Sequence, residues 1–316
     1  MNGAIEALLK EVEENPLPRG HVSVYWQHYG SGTVVQRKGD DVVMKPFGFE
    51  PVAPLNRSMQ VAHRIERLLY WPVTARFRSY PAVWRLAVRL ARDLSSDPNF
   101  NVFKAACVAS VLSDHWNVSG ATPRTVAVIG DGYGFLGALI RRRLPESRLY
   151  CIDLPKTLMF QARTHETADP AASMALLGTS GFSEPAQITL VLPQDVEQVP
   201  EDLDCAINVA SMQEMTTTSI AAYFAFLRRR STPHSRFYCV NRFDKELPGG
   251  ERTRFYDYPW QADDEVFLDE PCPYYRHFIA PYTLRRGPRM LGLRVPYLNY
   301  FDGVHIHRLV RLTPQR

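Results

Sequence analysis

Long apolar runs are missing from this 316-residue chain. None approaches the roughly 20 residues that crossing a bilayer takes. The opening stretch, MNGAIEALLKEVEENPLPRG, reads as an acidic amphipathic helix and lacks the basic-then-apolar order of a secretory leader. A cytoplasmic protein with no membrane partner is expected. Cysteine is sparse: Cys107, Cys151, Cys205, Cys239 and Cys272 stand far apart and form no CxxC. That spacing speaks against a disulfide framework or a cysteine zinc site, and in favour of reduced thiols packed as small hydrophobes. Charge of one sign is scarce too. The chain carries 37 Lys and Arg against 33 Asp and Glu, a net +4, without a basic–aromatic ladder, so nucleic acid is not an expected partner. The short runs Arg141–Arg143 and Arg228–Arg230 fall near expected helix C-termini, where the dipole favours cations. Internal repeats and low-complexity segments are absent.

What is present is concentrated in Thr125–Gly137, TVAVIGDGYGFLG. Four apolar residues, Val126–Ile129, lead into Gly130, Gly132, Gly134 and Gly137, and the apolar segment Phe135–Leu144 follows. This is the pattern of a buried strand, a glycine turn and a helix N-terminus. Glycine suits such a turn because it accepts unusual φ/ψ and lets a ligand approach bare backbone. The next strand, Leu149–Ile152, ends in Asp153, 21 positions after Gly132, the spacing at which a carboxylate meets a ribose diol in nucleotide-binding βαβ units. Two registers compete. Gly132-x-Gly134-x-x-Gly137 fits a dinucleotide fingerprint, and Gly130-x-Gly132-x-Gly134 fits the loop that holds S-adenosylmethionine in Rossmann-like methyltransferases.

Residues 1–120 read as an N-terminal, mainly helical arm. It comprises a first helix, a hairpin over His21–Val43 turning at Ser31–Gly32, and helices over Ser58–Leu69, Ala82–Leu94 and Val102–Asn117. Residues 121–316 alternate strands and helices. Strands are expected at Thr125–Ile129, Arg148–Ile152, Ile188–Leu192, Asp204–Val209, Arg236–Val240 and His305–Leu312, with helices at Phe135–Leu144, Lys156–Glu166 and Ser219–Arg229. Such alternation means an α/β fold with a mostly parallel sheet covered on both faces. A long insertion, about 243–300, precedes the last strand.

Ligands of these sheets sit beyond the carboxyl ends of the strands. The residues there are Gly130–Gly134 with Asp131 and Tyr133, then Asp153 and Leu154, then Gln194 and Asp195, then Asn208 with Gln213 and Glu214, then Asn241 and Arg242. An acid after the third strand is a familiar partner of an adenine amino group in methyltransferases. An NAD enzyme would need a second mononucleotide-binding half of comparable length. Here a final strand, HIHRLVRL, closes the pattern instead, as in the methyltransferase topology with a last antiparallel strand inserted into the sheet.

Eight segments together resemble the sugar O-methyltransferase family of bacteria: GDGYGFLG (Gly130–Gly137), CIDLPKTLMFQA (Cys151–Ala162), NVASMQEM (Asn208–Met215), Tyr223–Arg228, FYCVNR (Phe237–Arg242), KELPGGE (Lys245–Glu251), RFYDYPW (Arg254–Trp260) and CPYY (Cys272–Tyr275). They span most of residues 125–280. The resemblance implies a Rossmann-like enzyme using S-adenosylmethionine, with a saccharide-type hydroxyl of a small molecule as acceptor. The sequence departs from the wider methyltransferase pattern at Val128, where an acid two residues before the first glycine is usual.

The expected cofactor contacts are Gly130, Asp131, Gly132, Tyr133, Gly134, Asp153, Leu154, Gln194, Asp195 and Asn208, and the expected substrate contacts are Gln213, Asn241, Arg242, Tyr258 and Trp260. Each has a plainer alternative. Asp153 could cap a helix, Asp195 could shape a turn, Arg242 could pair with a neighbouring acid. The aromatics Tyr256, Tyr258, Trp260, Tyr274 and Tyr275 could line a sugar-stacking lid or form the insertion's own core. Glu214 is the first candidate base, against a role in the first turn of the next helix. His277 beside CPYY is the second, against a structural role. His305 and His307 share one strand face, but no matching carboxylates make them a metal pair. Metal-dependent relatives want acids where Asn208 and Asn241 stand, so a metal-free reaction is expected. An NAD-linked oxidoreductase, an N- or C-methyltransferase of a natural product, and a catalytically silent binding protein remain open alternatives, as does a homodimer.

Overall fold

The computed structural model describes residues 3–15, 32–39, 41–45, 57–178, 186–279, 289–290, 292–295 and 298–315. From the N-terminus these form helix α1 (Gly3–Glu14), strands β1 (Val34–Lys38) and β2 (Asp41–Lys45), and helices α2 (Arg57–Leu69), α3 (Trp71–Thr74), α4 (Tyr80–Asp93) and α5 (Phe100–Ser119). Alternation begins with β3 (Thr125–Ile129), α6 (Phe135–Arg143), β4 (Arg148–Ile152), α7 (Pro155–Ala168), β5 (Met174–Leu176) and β6 (Ile188–Val191). It continues with β7 (Leu203–Val209), α8 (Thr217–Arg229) and β8 (Ser231–Arg242). Short strands β9 (Asp244–Glu246) and β10 (Arg252–Arg254) precede β11 (Glu265–Pro271), β12 (His277–Ile279), β13 (Arg289–Met290), β14 (Leu293–Arg294), β15 (Leu298–Tyr300) and β16 (His305–Arg311).

One eight-stranded sheet runs in the order β11-β16-β8-β7-β3-β4-β6-β5. The pairings β7–β8, β3–β7, β3–β4, β4–β6 and β5–β6 are parallel. Central strands buried on both faces must be apolar throughout, and β3 is buried at all five positions. Ile129 lies in register with both Ile152 and Asn208, and Asn208 with Cys239. The C-terminal ends of β3, β4, β7 and β8 therefore finish level, which brings their trailing residues to one edge. The last strand in sequence, β16, lies inside the sheet between β8 and β11. This is the Rossmann-like α/β architecture, with the late strand inserted.

The chain forms two compact units. The sheet unit comprises Met1–Pro51, Pro123–Glu270 and Ile306–Arg316, and the helical unit comprises Val52–Thr122 and Pro271–His305. The arm expected at 1–120 is thus divided. Helix α1 joins the sheet unit because it packs on α7 and β5 and buries Ile5, Leu8, Leu9 and Val12. The insertion expected at about 243–300 is divided as well. Its first part adds β11 to the edge of the sheet, and its later part belongs with the helices. The hairpin expected over His21–Val43 falls partly outside the described residues. The described hairpin is β1–β2, which turns at Gly39 in the left-handed region.

Within the helical unit, α5 is capped by Asn99, whose Oδ1 accepts from the Asn101 and Val102 amides, and it ends at Gly120 with φ +68°. Its core joins Tyr70, Phe100 and Phe103 to Tyr275 and Phe301, with His305 stacked on Tyr275 at 4.1 Å.

Candidate active site

Between β3 and α6 the backbone enters the left-handed region three times, at Gly130 (φ +74°), Gly132 (+60°) and Gly134 (+81°). The three glycines serve different ends. A Cβ on Gly130 would lie 1.9 Å from Ser211 Oγ, and one on Gly134 would lie 2.9 Å from Gln161 Cα. Both positions are closed by protein. A Cβ on Gly132 would meet no described atom within 4 Å, so this side of the turn is open among the described residues. Tyr133 is half-buried against Phe160, with ring centres 5.1 Å apart.

Asp131 is expected as a cofactor contact, but its carboxylate points into the turn. Oδ1 accepts from the Leu136 amide (3.2 Å) and Oδ2 from Gly137 (2.6 Å), which caps the first turn of α6. Val128 is buried in the sheet, so the acid usual two residues before the first glycine has no counterpart there.

Asp153 stands at the end of β4 beside this turn. Oδ1 accepts from its neighbour Leu154, the N-cap residue of α7 (2.8 Å), and Oδ2 accepts from Gln161 Nε2 (2.7 Å). Burial pushes its carboxyl up to about 7, although the Leu154 and Gly132 amides and Gln161 pull the other way. Gln161 is fully buried, and its Oε1 has no hydrogen-bond partner among the described residues. Tyr223 on α8 closes in from the other side. Burial raises its phenol, and the Asp153 carboxylate adds to the effect. Neither Gln161 nor Tyr223 is evident as a site residue from the sequence. The available signal for Gln161 was a lone amide inside the apolar run Leu158–Ala162.

After β6 the chain makes a 3₁₀ turn over Pro193–Gln198. Gln194 is exposed, and Asp195 accepts from Gln198 Nε2 at 2.8 Å. Burial, and then Glu11 of α1, raises the Asp195 carboxyl. The N-terminal helix therefore reaches the rim of the strand-end edge.

The amides after β7 and β8 depart from expectation. Asn208, Gln213 and Asn241 are expected as ligand contacts, yet all three are buried and bonded to one another and to backbone. Asn208 Nδ2 donates to the Ile129 carbonyl (2.9 Å), and its Oδ1 accepts from Asn241 Nδ2 (2.8 Å) and the Met212 amide (3.2 Å). Asn241 Oδ1 accepts from the Gln213 amide (3.0 Å), and Gln213 Oε1 accepts from the Arg242 amide (2.7 Å). These side chains hold the loop 210–215 in place. The loop begins at Ala210 with φ +57°, an uncommon conformation for a residue with a Cβ, and it sets Ser211 against Gly130.

Glu214 follows in that loop and meets Lys245 Nζ at 2.8 Å. Burial pushes its carboxyl above the usual range, while Lys245 and then Arg242 pull against it. The loop therefore brings Glu214, Lys245 and Arg242 into one charged group.

Tyr258 and Trp260, expected on a substrate lid, pack in the core of the sheet unit. Trp260 stands edge-on to Phe224 of α8 at 4.8 Å, donates from Nε1 to the Phe255 carbonyl (2.8 Å) and lies under Arg308 at 4.5 Å. The plainer alternative holds for these two rings. His277 lies in the helical unit, where its backbone pairs with Tyr300, and its side chain is outside the described residues. His307 bonds Tyr238 (2.9 Å) and approaches Glu270 (3.4 Å). Among the described residues no group of three or more His, Cys, Asp or Glu comes together as a metal would need.

No protein-family model matches this chain, and no curated protein does. Solved structures with a similar layout include TehB from Haemophilus influenzae (11% identity, TM-score 0.41, 64% of this chain and 61% of that one). Others are Thermoplasma acidophilum 1320 (14%, 0.42, 72% and 96%) and an S-adenosylmethionine-dependent methyltransferase from Clostridium acetobutylicum (10%, 0.40, 64% and 89%). The match spans about three fifths of TehB's length. At these values the likeness adds nothing to the sheet order described above.

Proposed function

We propose that this chain is an S-adenosylmethionine-dependent methyltransferase acting on a hydroxyl of a small, saccharide-like molecule. The observation that carries the reading is the pairing of an open backbone surface at Gly132 with the Asp153 carboxylate at the end of the adjacent strand. The residues fit the cofactor: among the described residues no side chain covers Gly132, and Asp153 is held by Leu154 and Gln161 so that its oxygens can accept from two ribose hydroxyls. Leu154, Tyr133 and Gln194 border the same edge, and in this reading Asp195 accepts from an adenine amino group. The insertion of β16 beside β8 favours this cofactor over NAD, which would call for a second nucleotide-binding half.

When bound, S-adenosylmethionine would supply an electrophilic methyl group, and its transfer to the acceptor oxygen would release the neutral thioether. The chain's own task is to position that oxygen and remove its proton. Glu214 is the base. Burial makes it more basic than an ordinary carboxylate, and Lys245 fixes its orientation. Arg242 beside it orients an acceptor through its guanidinium fork. The reaction uses no metal, because Asn208 and Asn241, bonded to each other, occupy the strand ends where metal-dependent relatives carry acids. The saccharide class rests on the eight segments that resemble the sugar O-methyltransferases.

A dinucleotide reading is favoured only by the Gly132-x-Gly134-x-x-Gly137 register. Thermal-shift titration separates the two. S-adenosylmethionine or its demethylated product should raise Tm and NAD should leave it unchanged; the reverse result overturns the proposal.

A further inference from the structure

Helix α2 is turned inside out. Its buried side carries His63 and Glu66, joined at 2.9 Å, while Val61, Ile65, Leu68 and Leu69 point outward at 53%, 52%, 72% and 51% exposure. The first three recur at i, i+4 and i+7, one continuous stripe on a helix. Trp71, just past its end, is 67% exposed. The orientation is fixed by neighbours: Gln60 Nε2 donates to Asp97, and Arg67 donates to the Pro98 carbonyl and lies over the Trp84 ring. Large apolar residues grouped on one exposed face mark a contact surface.

Charge says what kind. Residues 57–92 contain eight arginines and a single acid, Glu66, whereas the whole chain is only +4. The rest of the protein is therefore net acidic. Arg64 is exposed at the edge of the stripe, and Arg76, Arg78, Arg85, Arg89 and Arg92 are exposed in the same segment. A second copy of the chain would bring arginines against arginines. A partner protein would have to offer a groove, because the ridge of one helix is convex. A planar anionic surface accepts both the ridge and Arg64 at its edge.

We propose that α2 and Trp71 lie on an anionic phospholipid surface, with Val61, Ile65, Leu68, Leu69 and Trp71 at the headgroup–acyl boundary and Arg64 on the headgroups. Basic amphipathic helices with aliphatic and tryptophan contacts bind in this plane, and arginines near such a surface add attraction within a Debye length. At 13 residues, α2 is about 20 Å long and lies along the surface without crossing it. The membrane contact that the missing apolar runs argue against is thus of a different kind, peripheral and electrostatic. The proposal is independent of the methyl-transfer reading.

The test is sedimentation of the full chain with vesicles of phosphatidylcholine containing about 30% phosphatidylglycerol, against phosphatidylcholine alone. Binding should require the anionic lipid, fall steeply as salt rises, and shift the tryptophan emission to the blue in a Trp71-dependent way. Ile65→Asp with Leu68→Asp, both on exposed positions, should weaken binding about tenfold or more and leave Tm unchanged. No binding to anionic vesicles at low salt overturns the proposal. So does equal binding by the double variant, or a concentration-dependent dimer that the variant abolishes, which would give the face to a second copy.

Discussion

Ser211 Oγ occupies the place where a Cβ on Gly130 would be, 1.9 Å from it, so the loop after β7 and the glycine turn after β3 interlock. A Cβ on Gly132, two residues on, would meet nothing among the described residues, while the Gly132 amide bonds the Asp153 carboxylate. Neighbouring glycines of one motif therefore stand in different surroundings, one closed by packing and one open on its Cβ side.

This separation can be read by mutation. Gly130→Ala must displace Ser211 or the turn, and its φ of +74° adds left-handed strain of about 1–2 kcal/mol. It should lower Tm clearly. Gly132→Asn places a residue tolerant of that region at φ +60° and extends a side chain into the open space. Tm should change little, while calorimetry should show affinity for S-adenosylhomocysteine reduced more than about tenfold. Unchanged affinity would remove Gly132 from the site.

The Asp153 carboxyl, raised to about 7, couples the site to pH. Ribose hydroxyls donate to the carboxylate, so binding should tighten as pH rises through about 7. Below it, affinity should weaken by about tenfold per unit, following the ionised fraction. Folding stability of the ligand-free protein runs the opposite way. A raised folded pKa contributes stability that is present below the ordinary carboxylate range and lost as pH rises through about 7. Asp153→Asn should flatten both profiles, and calorimetry across pH 5–9 checks it. A wild-type affinity independent of pH would detach Asp153 from the diol.

Glu214→Gln keeps shape and hydrogen-bonding capacity but removes the base. Turnover should fall about 10²–10⁴-fold with cofactor affinity nearly intact. Lys245→Met leaves the half-buried carboxylate without its partner, so its pKa should climb further and the kcat–pH profile should move to higher pH. Wild-type turnover by Glu214→Gln on a competent acceptor would make the residue structural.

Arg228 and Asp264 form a two-pronged pair at 2.7 and 2.8 Å with both side chains 2% exposed, and Arg228 also donates to the carbonyls of Pro259 and Thr313. Burial alone would raise the Asp264 carboxyl, but Arg228 and the Gln261 and Thr313 amides outweigh it and hold it low. Its stabilising effect is present above the ordinary carboxylate range and lost as pH falls through the lowered folded value. Asp264→Ala strands a buried guanidinium and should cost about 3–5 kcal/mol in urea unfolding. The exposed pair between Arg229, next on the same helix, and Glu197 of the Pro193–Gln198 turn should contribute no more than about 1 kcal/mol.

The central strands were legible because burial on both faces demands unbroken apolar residues, and β3 and β4 end where their apolar runs do and begin one residue before them. Strand β11 was not. It is the sheet's edge, exposed at most positions, and EVFLDEP gains its strand character from pairing with β16, over thirty residues away. The same holds at the site. The spacing puts Asp153 at the end of its strand, but the bond between Asn208 and Asn241 joins side chains 33 residues apart, and no local pattern announces it. Periodicity marks α2 as amphipathic, yet no periodicity says which face turns inward.

The place of β16 bears on how the molecule comes to be made. Synthesis proceeds from the N-terminus, so β8 leaves the ribosome long before the strand that will lie beside it. For the time it takes to translate the more than sixty residues between them, the nascent sheet has an unpaired edge at β8, whose apolar stretch is Phe237–Val240, and β11 has no sheet to join. That interval is when the young chain is most open to pairing with another like it. Truncation before His305 should therefore yield aggregates, while the interior strands and the glycine turn already have all their sheet neighbours.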